Sequence, residues 1–335
     1  MTQRQVRYLL MWIGVAACVV IYIGRANSWF GTAMFSPTMS VLVSMLIGLS
    51  LVWILMQTIR GKFTDRRIVF LYVGLAIALP LFMTLTQRMT ISPEAQQLYD
   101  GILKLEPDSK VLVSFDYDPP SAPELQPMAE SFLRYCFQHG LKCIIMGLWP
   151  QGPQQANLAL EKILNEPEIK AKNLVYGVDY VNLGFQSGNE FVIQRMGSDF
   201  KSMFPTDYRG TPYDSIPLVK DVRNFSNIDY SFNLSAGYAG TREWVLVGVG
   251  RFGLKLGAGN TAVQATEMYP YVRSGQLIGI LGGMNGAAEF EQLTGHLDKG
   301  TKYMLSQSFA HMIVVAFIVI GNVAYFRFDR KKRTK

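Results

Sequence analysis

Long apolar runs occupy both ends of the chain, and apolar and amphipathic segments alternate between them. Four of the terminal runs approach or exceed the length of about 20 residues that crosses a bilayer. None of the four contains Asp, Glu, Lys or Arg; they cover residues 8–24, 39–59, 68–86 and 304–326. We therefore predict three transmembrane helices within residues 1–86 and a fourth within 304–335, followed by a basic tail.

The segment 87–303 has the pattern of a folded α/β domain. Near-continuous apolar runs alternate with helical stretches such as residues 122–140, and this alternation is typical of a parallel sheet covered by helices on both faces. Right-handed crossovers would make it an open, doubly wound, Rossmann-like sheet. Strands are predicted near residues 110–118, 141–150, 172–184, 229–237 and 254–263, and a last helical region over 267–297.

The distribution of charge predicts the orientation in the membrane, because Lys and Arg stay preferentially on the cytoplasmic side. Basic residues cluster in segments 4–7, 60–67 and 327–335, whereas the loop between the first two predicted spans contains only Arg25. Both termini are then cytoplasmic. Residues 87–303, with 19 Lys and Arg against 23 Asp and Glu, are then extracytoplasmic and, in a bacterium, periplasmic. The net charge of +7 thus indicates topology and contact with membrane lipids, and we predict no nucleic-acid binding.

Two cysteines of this domain leave two interpretations open. Cys136 and Cys143 flank the end of a predicted helix and the start of the next strand. An oxidising compartment would permit a disulfide between them if their geometry allows it. Two buried thiols that pack as small apolar side chains are the alternative.

A candidate ligand site follows from the predicted topology. Doubly wound sheets bind ligands beyond the carboxyl ends of their strands, where the strand order reverses. The residues at or just after these ends are Asp116, Asp118, Trp149, Asn182, Ser235, Gly237, Thr241, Arg242 and Asn260.

The stretch "SFDYDPP" carries the first candidate chemistry. It resembles the first motif of haloacid-dehalogenase-type phosphohydrolases, in which one aspartate is a nucleophile and the next an acid or base. Pro119 and Pro120 stand where that family has small or hydroxyl residues, and the likeness covers five or six residues. Asp116 and Asp118 are therefore either a Mg²⁺ or Ca²⁺ site of a hydrolase or transferase, or part of a turn that caps the next helix.

Two further segments are candidate recognition elements. In "NLSAGYAGTREW", Gly237 and the start of a helix near Thr241 would present backbone amides to an anion, with Arg242 beside them; an ordinary strand-to-helix turn is the alternative. The long loop 207–217 carries Tyr208, Arg209 and Tyr213, which we predict to form a partner surface.

Several stretches of the domain share one further likeness. The segments "DYVNLGFQSGNEFVIQRM", "RGTPYDSIP", "SAGYAGTREWV" and "GGMNGAAEFE" resemble those of a group of bacterial multi-spanning membrane proteins of unassigned function. The resemblance spans most of residues 95–295. It implies a bacterial source and a Rossmann-like extracytoplasmic domain joined to a membrane anchor, and it brings no catalytic residues.

The sequence thus favours a non-enzymatic, membrane-anchored binding or scaffold protein that recognises a partner protein or an anionic ligand. No cofactor is predicted. Small residues in the first span, Gly14, Ala16 and Ala17, indicate a homo-oligomer or a larger membrane complex. The alternative function is a membrane-bound hydrolase or transferase that uses Asp116 and Asp118 with a divalent metal ion.

Overall fold

The computed structural model describes residues 37–61, 65–82 and 89–329, together with positions 12 and 16. It divides into two compact units. One comprises Met1–Gln87 and Lys302–Lys335, and the other is the α/β domain, Arg88–Thr301.

The domain is built on a sheet of six parallel strands. They are β1 Lys110–Asp116, β2 Lys142–Gly147, β3 Tyr180–Phe185, β4 Tyr230–Ser235, β5 Leu256–Asn260 and β6 Ile280–Gly282. Their order is β3-β2-β1-β4-β5-β6, so the direction of winding reverses between β1 and β4. The prediction of an α/β domain with a parallel, Rossmann-like sheet is confirmed.

Helices connect the strands of the domain and make up the described part of the other unit. In chain order they are α1 Pro37–Ile59, α2 Arg66–Ala78, α3 Pro93–Ile102, α4 Ala122–Gln138, α5 Gly152–Leu164, α6 Pro167–Lys170, α7 Glu190–Met196, α8 Phe200–Met203, α9 Thr241–Glu243, α10 Gly250–Phe252, α11 Ala262–Arg273, α12 Gly283–Thr294 and α13 Lys299–Ala324. A π-helical segment, Trp244–Val249, joins α9 to α10.

Two apolar cores, one on each face of the sheet, hold the layers together. On one face the sheet packs against α3, α4, α5 and α12, and Phe132 stacks on Phe232 with ring centroids 4.0 Å apart. On the other face it packs against α7, α8, the π-helical segment and α11, and this core includes Trp244 and Phe225. Helices on both faces make the sheet a doubly wound layer.

The last part of the domain differs from the prediction. The expected helical region 267–297 is instead the end of α11, then β6, then α12. Because β6 has only three residues, its apolar run "LIGIL" does not distinguish a strand from a helix by periodicity. Helix α3 was not predicted, although Ser92 caps it by accepting from Ala95 N and Pro93 follows as its first residue.

Two helices among the described residues are long and apolar enough to cross a membrane: Ser40–Ile59 and Lys299–Arg327. Large apolar side chains on both are exposed, including Leu46 at 66% and Leu49 at 67%. These helices match two of the four predicted spans. The predicted span 8–24 lies outside the described residues except for positions 12 and 16. The predicted span 68–86 is described as far as Phe82: it consists of most of α2 and a short 3-10 helix, Leu79–Phe82.

The beginning of α13 is bound tightly to the domain. The carboxylate of Glu291, wholly buried, accepts hydrogen bonds from the amides of Asp298 (2.8 Å), Gly300 (2.7 Å) and Thr301 (2.8 Å). A carboxylate at this position satisfies amides that the first turn of a helix leaves unpaired. Asp298 and Lys299, at the start of α13, also belong to a group of connected ion pairs: Arg134–Glu166, Arg134–Asp298, Lys162–Glu130, Lys162–Asp298 and Lys299–Glu130.

A close backbone contact seats α5 against the sheet. A Cβ on Gly152, the first residue of α5, would lie 1.9 Å from the carbonyl oxygen of Phe115 in β1. The substitution Gly152→Ala therefore has to push the helix away from the strand, and we expect it to lower the free energy of unfolding by about 1–3 kcal/mol. Urea unfolding of the detergent-solubilised chain, followed by tryptophan fluorescence, would measure the change.

The matched control is Gly250→Ala. Its Cβ would meet its nearest neighbour, the carbonyl oxygen of Val245, at 3.5 Å, which is an ordinary contact. Since Gly250 has helical backbone angles, Ala there should be neutral or stabilising by up to about 1 kcal/mol. Equal unfolding free energies for the two variants would contradict this account of the helix contact.

Candidate functional site

A buried carboxylate stands at the point where the strand order reverses. Asp116 ends β1 and its side chain is wholly inaccessible to solvent. Four donors surround its two oxygens: Ser114 Oγ at 2.8 and 2.9 Å, Leu148 N at 2.7 Å, Asn233 Nδ2 at 2.6 Å and Trp244 Nε1 at 3.0 Å. A carboxylate offers about four lone-pair directions. Both oxygens of Asp116 are thus occupied by the protein itself.

The strand register explains why these groups meet. Ser114 and Asp116 are two residues apart and therefore lie on the same face of β1. Ser114 is paired with Asn233 in β4, which places the amide of Asn233 beside the carboxylate. The π-helical segment that follows β4 brings the indole of Trp244 to the same oxygen.

The hydrogen-bond network continues from β4 to β5. Thr241 Oγ1 donates to Asn233 Oδ1 at 2.6 Å, and Asn260 Nδ2 donates to Thr241 Oγ1 at 2.8 Å. Asn260 Nδ2 also lies 2.8 Å from Gln264 Oε1, whose amide nitrogen reaches Gly237 O at 3.2 Å. We call Asp116, Asn233, Thr241 and Asn260 the switch-point network, because they join the carboxyl ends of β1, β4 and β5.

Burial determines the protonation of Asp116. Loss of solvent raises its pKa from 3.8 to about 6, and the hydrogen bonds from Leu148, Ser114, Trp244 and Asn233 act in the opposite direction. The group is therefore mainly ionised at neutral pH, as its four donors require.

One acceptor of the network is left over. Asn260 Oδ1 is buried and accepts no hydrogen bond from the residues that the structure describes. An unsatisfied buried acceptor costs about 1–3 kcal/mol. This oxygen is therefore suited to a donor group, either from water or from the N–H or O–H of a bound molecule.

Carboxylates of the chain already occupy the helix N-termini beside the network. Glu243 Oε2 accepts from Gly240 N at 2.8 Å, and Glu124 Oε2 accepts from Ala262 N at 2.8 Å. These are the amides that an anion would use at the starts of α9 and α11. Arg242, the cation predicted to assist, is exposed. Since Glu243 and Glu124 already bond to one amide at each helix start, the strand-to-helix turn is favoured over anion recognition at Gly237–Arg242.

Aromatic side chains lie beside the network, at the same edge of the sheet. Trp149 is half-buried, donates from Nε1 to Ala239 O at 2.7 Å and lies over Gly237. Tyr238, 64% exposed, donates to Glu190 Oε2 at 2.9 Å, and the adjacent Phe191 is 57% exposed. We call Trp149, Tyr238 and Phe191 the edge aromatic surface. Tyr238 and Phe191 were not predicted, although both lie in segments that follow strands.

The structure brings together six of the nine predicted site residues. Asp116, Ser235, Gly237, Thr241, Asn260 and Trp149 lie in or directly against the switch-point network. Asn182 belongs to a separate cluster, where its amide donates to Pro153 O at 3.1 Å and Asn157 Oδ1 at 2.9 Å. Asp118 accepts from Ser121 Oγ at 2.9 Å, so it belongs to the turn before α4, but its side chain makes no capping hydrogen bond to the backbone there.

The predicted partner surface is only partly at the surface. Tyr208 is 53% exposed, and the exposed guanidinium of Arg209 lies 3.5 Å above the ring of Tyr176. The prediction for Tyr213 is wrong: this residue is 1% exposed, packs in the second apolar core and donates from its hydroxyl to Val222 O at 2.9 Å. The loop folds back on itself, so its aromatic residues divide between core and surface.

Cys136 and Cys143 are free thiols buried in the first apolar core. Burial, together with a hydrogen bond to Cys143, raises the pKa of Cys136 well above its ordinary value. The structure therefore contains the reduced pair, the second of the two alternatives.

Comparison with known proteins adds no relative to this description. Neither protein-family models, nor curated protein sequences, nor solved structures gave a match. Among the described residues no three His, Cys, Asp or Glu side chains converge as a metal-binding group.

The buried carboxylate predicts a specific pH dependence. Between pH 3.8 and about 6 the unfolded chain ionises Asp116 while the folded chain keeps it protonated, so stability falls as pH rises. The unfolding free energy of the wild type minus that of Asp116→Asn should therefore decrease by up to about 3 kcal/mol from pH 4 to pH 7, because only the wild type has this titrating group. Urea unfolding at several pH values would measure it.

Asp118→Asn provides the control, because it removes the same charge from a half-buried turn. An effect that both variants share is then an effect of the lost charge and does not depend on the burial of Asp116. A difference between the wild type and Asp116→Asn that is constant over this range would show that the buried carboxyl titrates normally.

Proposed function

We propose that this chain is a membrane-anchored, non-enzymatic binding or assembly protein. Its extracytoplasmic α/β domain recognises a partner protein through the edge aromatic surface. Four transmembrane helices hold the domain, with both termini in the cytoplasm and residues 87–303 outside the cytoplasmic membrane. The alternative is a Mg²⁺- or Ca²⁺-dependent hydrolase or transferase. That activity requires a carboxylate oxygen that is free to bind the metal ion or to attack the substrate, and both oxygens of Asp116 accept hydrogen bonds within the protein.

The saturation of Asp116 is the observation that carries the proposal. A nucleophile or a metal ligand needs an accessible lone pair, whereas the oxygens of this carboxylate accept from four buried or backbone donors. At the starts of α9 and α11 one amide each, Gly240 N and Ala262 N, is bonded to Glu243 and Glu124 and is not free to bind a phosphate. Tyr238 and Phe191 remain exposed at this edge, and exposed aromatic side chains are residues that protein interfaces favour.

The membrane anchor is supported by two features. α1 and the helix Lys299–Arg327 have the length and composition of membrane spans. In water their exposed apolar side chains would form patches far larger than soluble proteins carry, whereas lipid would cover them without cost. The basic clusters at residues 4–7, 60–67 and 327–335 support the proposed orientation, with the domain outside the cytoplasm.

Thiol labelling tests the orientation. A cysteine at exposed Lys104 in the domain, Lys104→Cys, should react with a membrane-impermeant maleimide in intact spheroplasts. A cysteine in the basic tail, Lys335→Cys, should react only after the membrane is permeabilised. Cys18 is replaced by Ala in both variants, and Cys136 and Cys143 are buried. The reverse labelling pattern would contradict the proposed topology.

Photo-crosslinking tests partner recognition. p-Benzoylphenylalanine at Phe191 or Tyr238 should give one discrete adduct with another protein in intact cells, because these side chains project from the carboxyl edge of the sheet. Val175, which is 54% exposed and precedes β3 at the opposite edge, is matched to Phe191 in exposure and should give none. Adducts at all three positions, or at none, would contradict recognition through the edge aromatic surface.

A further inference from the structure

The helix α13 carries polar side chains on its outer face, and this face has no cover among the described residues. Gln307, His311 and Asn322 are all exposed, and neither Gln307 nor His311 makes a side-chain hydrogen bond within the described part of the chain. At about 100° per residue, these three positions and Ile318 lie within about 60° of one another around the helix axis. They form one stripe, which we call the polar stripe.

The opposite face of α13 is already occupied. Ile313 is 1% exposed and Ile320 is 7% exposed, and both lie about 180° from the polar stripe. Phe317 makes an edge-to-face contact with Tyr72 of α2, with ring centroids 5.8 Å apart. The helix therefore packs within its own unit through one face, and the polar stripe on the other face remains exposed.

The proposed topology makes this arrangement costly for a single chain. If α13 crosses the membrane, His311 lies about four residues, or about 6 Å, from the middle of the predicted span 304–326. Polar groups at that depth face other helices and hydrogen-bond to them, because hydrocarbon offers no partner. The stripe thus needs donors and acceptors that the described residues of the unit do not supply.

We propose that a second copy of this chain supplies them, through a parallel pairing of the two α13 helices along the polar stripe; this inference rests on the proposed topology. In a two-fold pair each Gln, His or Asn meets its equivalent at the same depth, and each of these side chains both donates and accepts. Asn and His occur in none of the other three predicted spans, and Gln only at position 57. Gly321, with nothing within 4 Å of a Cβ placed there, lets the backbones approach at one side of the stripe.

Cysteine crosslinking in native membranes tests the pairing. In a Cys18→Ala background, Ile318→Cys should form a disulfide-linked species of twice the 37.6 kDa chain mass on oxidation with copper phenanthroline. Met312→Cys is the control: Met312 is 63% exposed against 57% for Ile318 but lies about 120° away around the helix. Equal crosslinking at both positions, or none at Ile318, would overturn the pairing, as would an adduct of another mass.

A second measurement uses the polar side chains themselves. Each of Gln307→Leu and His311→Leu should weaken dimerisation about threefold, measured by energy transfer between labelled chains in liposomes. Met312→Leu is the control and should leave dimerisation unchanged. Unaltered dimerisation in both polar variants would contradict the pairing along the polar stripe. Because the thiol labelling reports topology separately, correct topology without crosslinking refutes only the pairing, whereas a cytoplasmic domain refutes the proposed function.

Discussion

The organisation of the domain depends on the requirement that a carboxylate withdrawn from water be surrounded by donors. Asp116 meets that requirement with groups from four different segments: β1 itself, the turn after β2, β4 and the π-helical segment. A buried charge with a missing partner is far more costly than an apolar side chain of the same size. These segments must therefore be in register together, and the carboxylate links the two halves of the sheet at the point where its winding reverses.

The same requirement changes what the crevice of the fold can do. In doubly wound sheets this crevice ordinarily receives the ligand, with backbone amides turned toward it. Here Asp116 uses the amide of Leu148, Glu243 uses that of Gly240, and Glu124 uses that of Ala262. The chain thus uses several of the donors of this crevice itself, which is why the proposed recognition of a partner relies on the exposed aromatic side chains at the same edge.

A second buried carboxylate, that of Glu291, has the corresponding role at the end of the domain where α13 begins. Glu291 holds the first amides of α13, and the ion pairs of Arg134, Lys162 and Lys299 enclose the segment before it. The first turn of α13 is therefore part of the domain. The proposed pairing along the polar stripe would give the domain a defined neighbour, as an assembly protein requires.

The amino-acid sequence alone determined the fold class, because continuous apolar runs such as β1 and β2 and the helical period of α4 are local signals. It also located the edge of the sheet where Asp116, Ser235 and Asn260 meet. Only the tertiary structure decided that the oxygens of Asp116 are occupied by hydrogen bonds. Two of the donors, Asn233 and Trp244, are 117 and 128 residues away in the chain, and local periodicity carries no information over that separation. The same holds for Tyr213, whose burial depends on how its loop folds back, and for β6, which is too short to show a period. Local patterns specify which elements form, whereas strand order and packing specify which side chains meet.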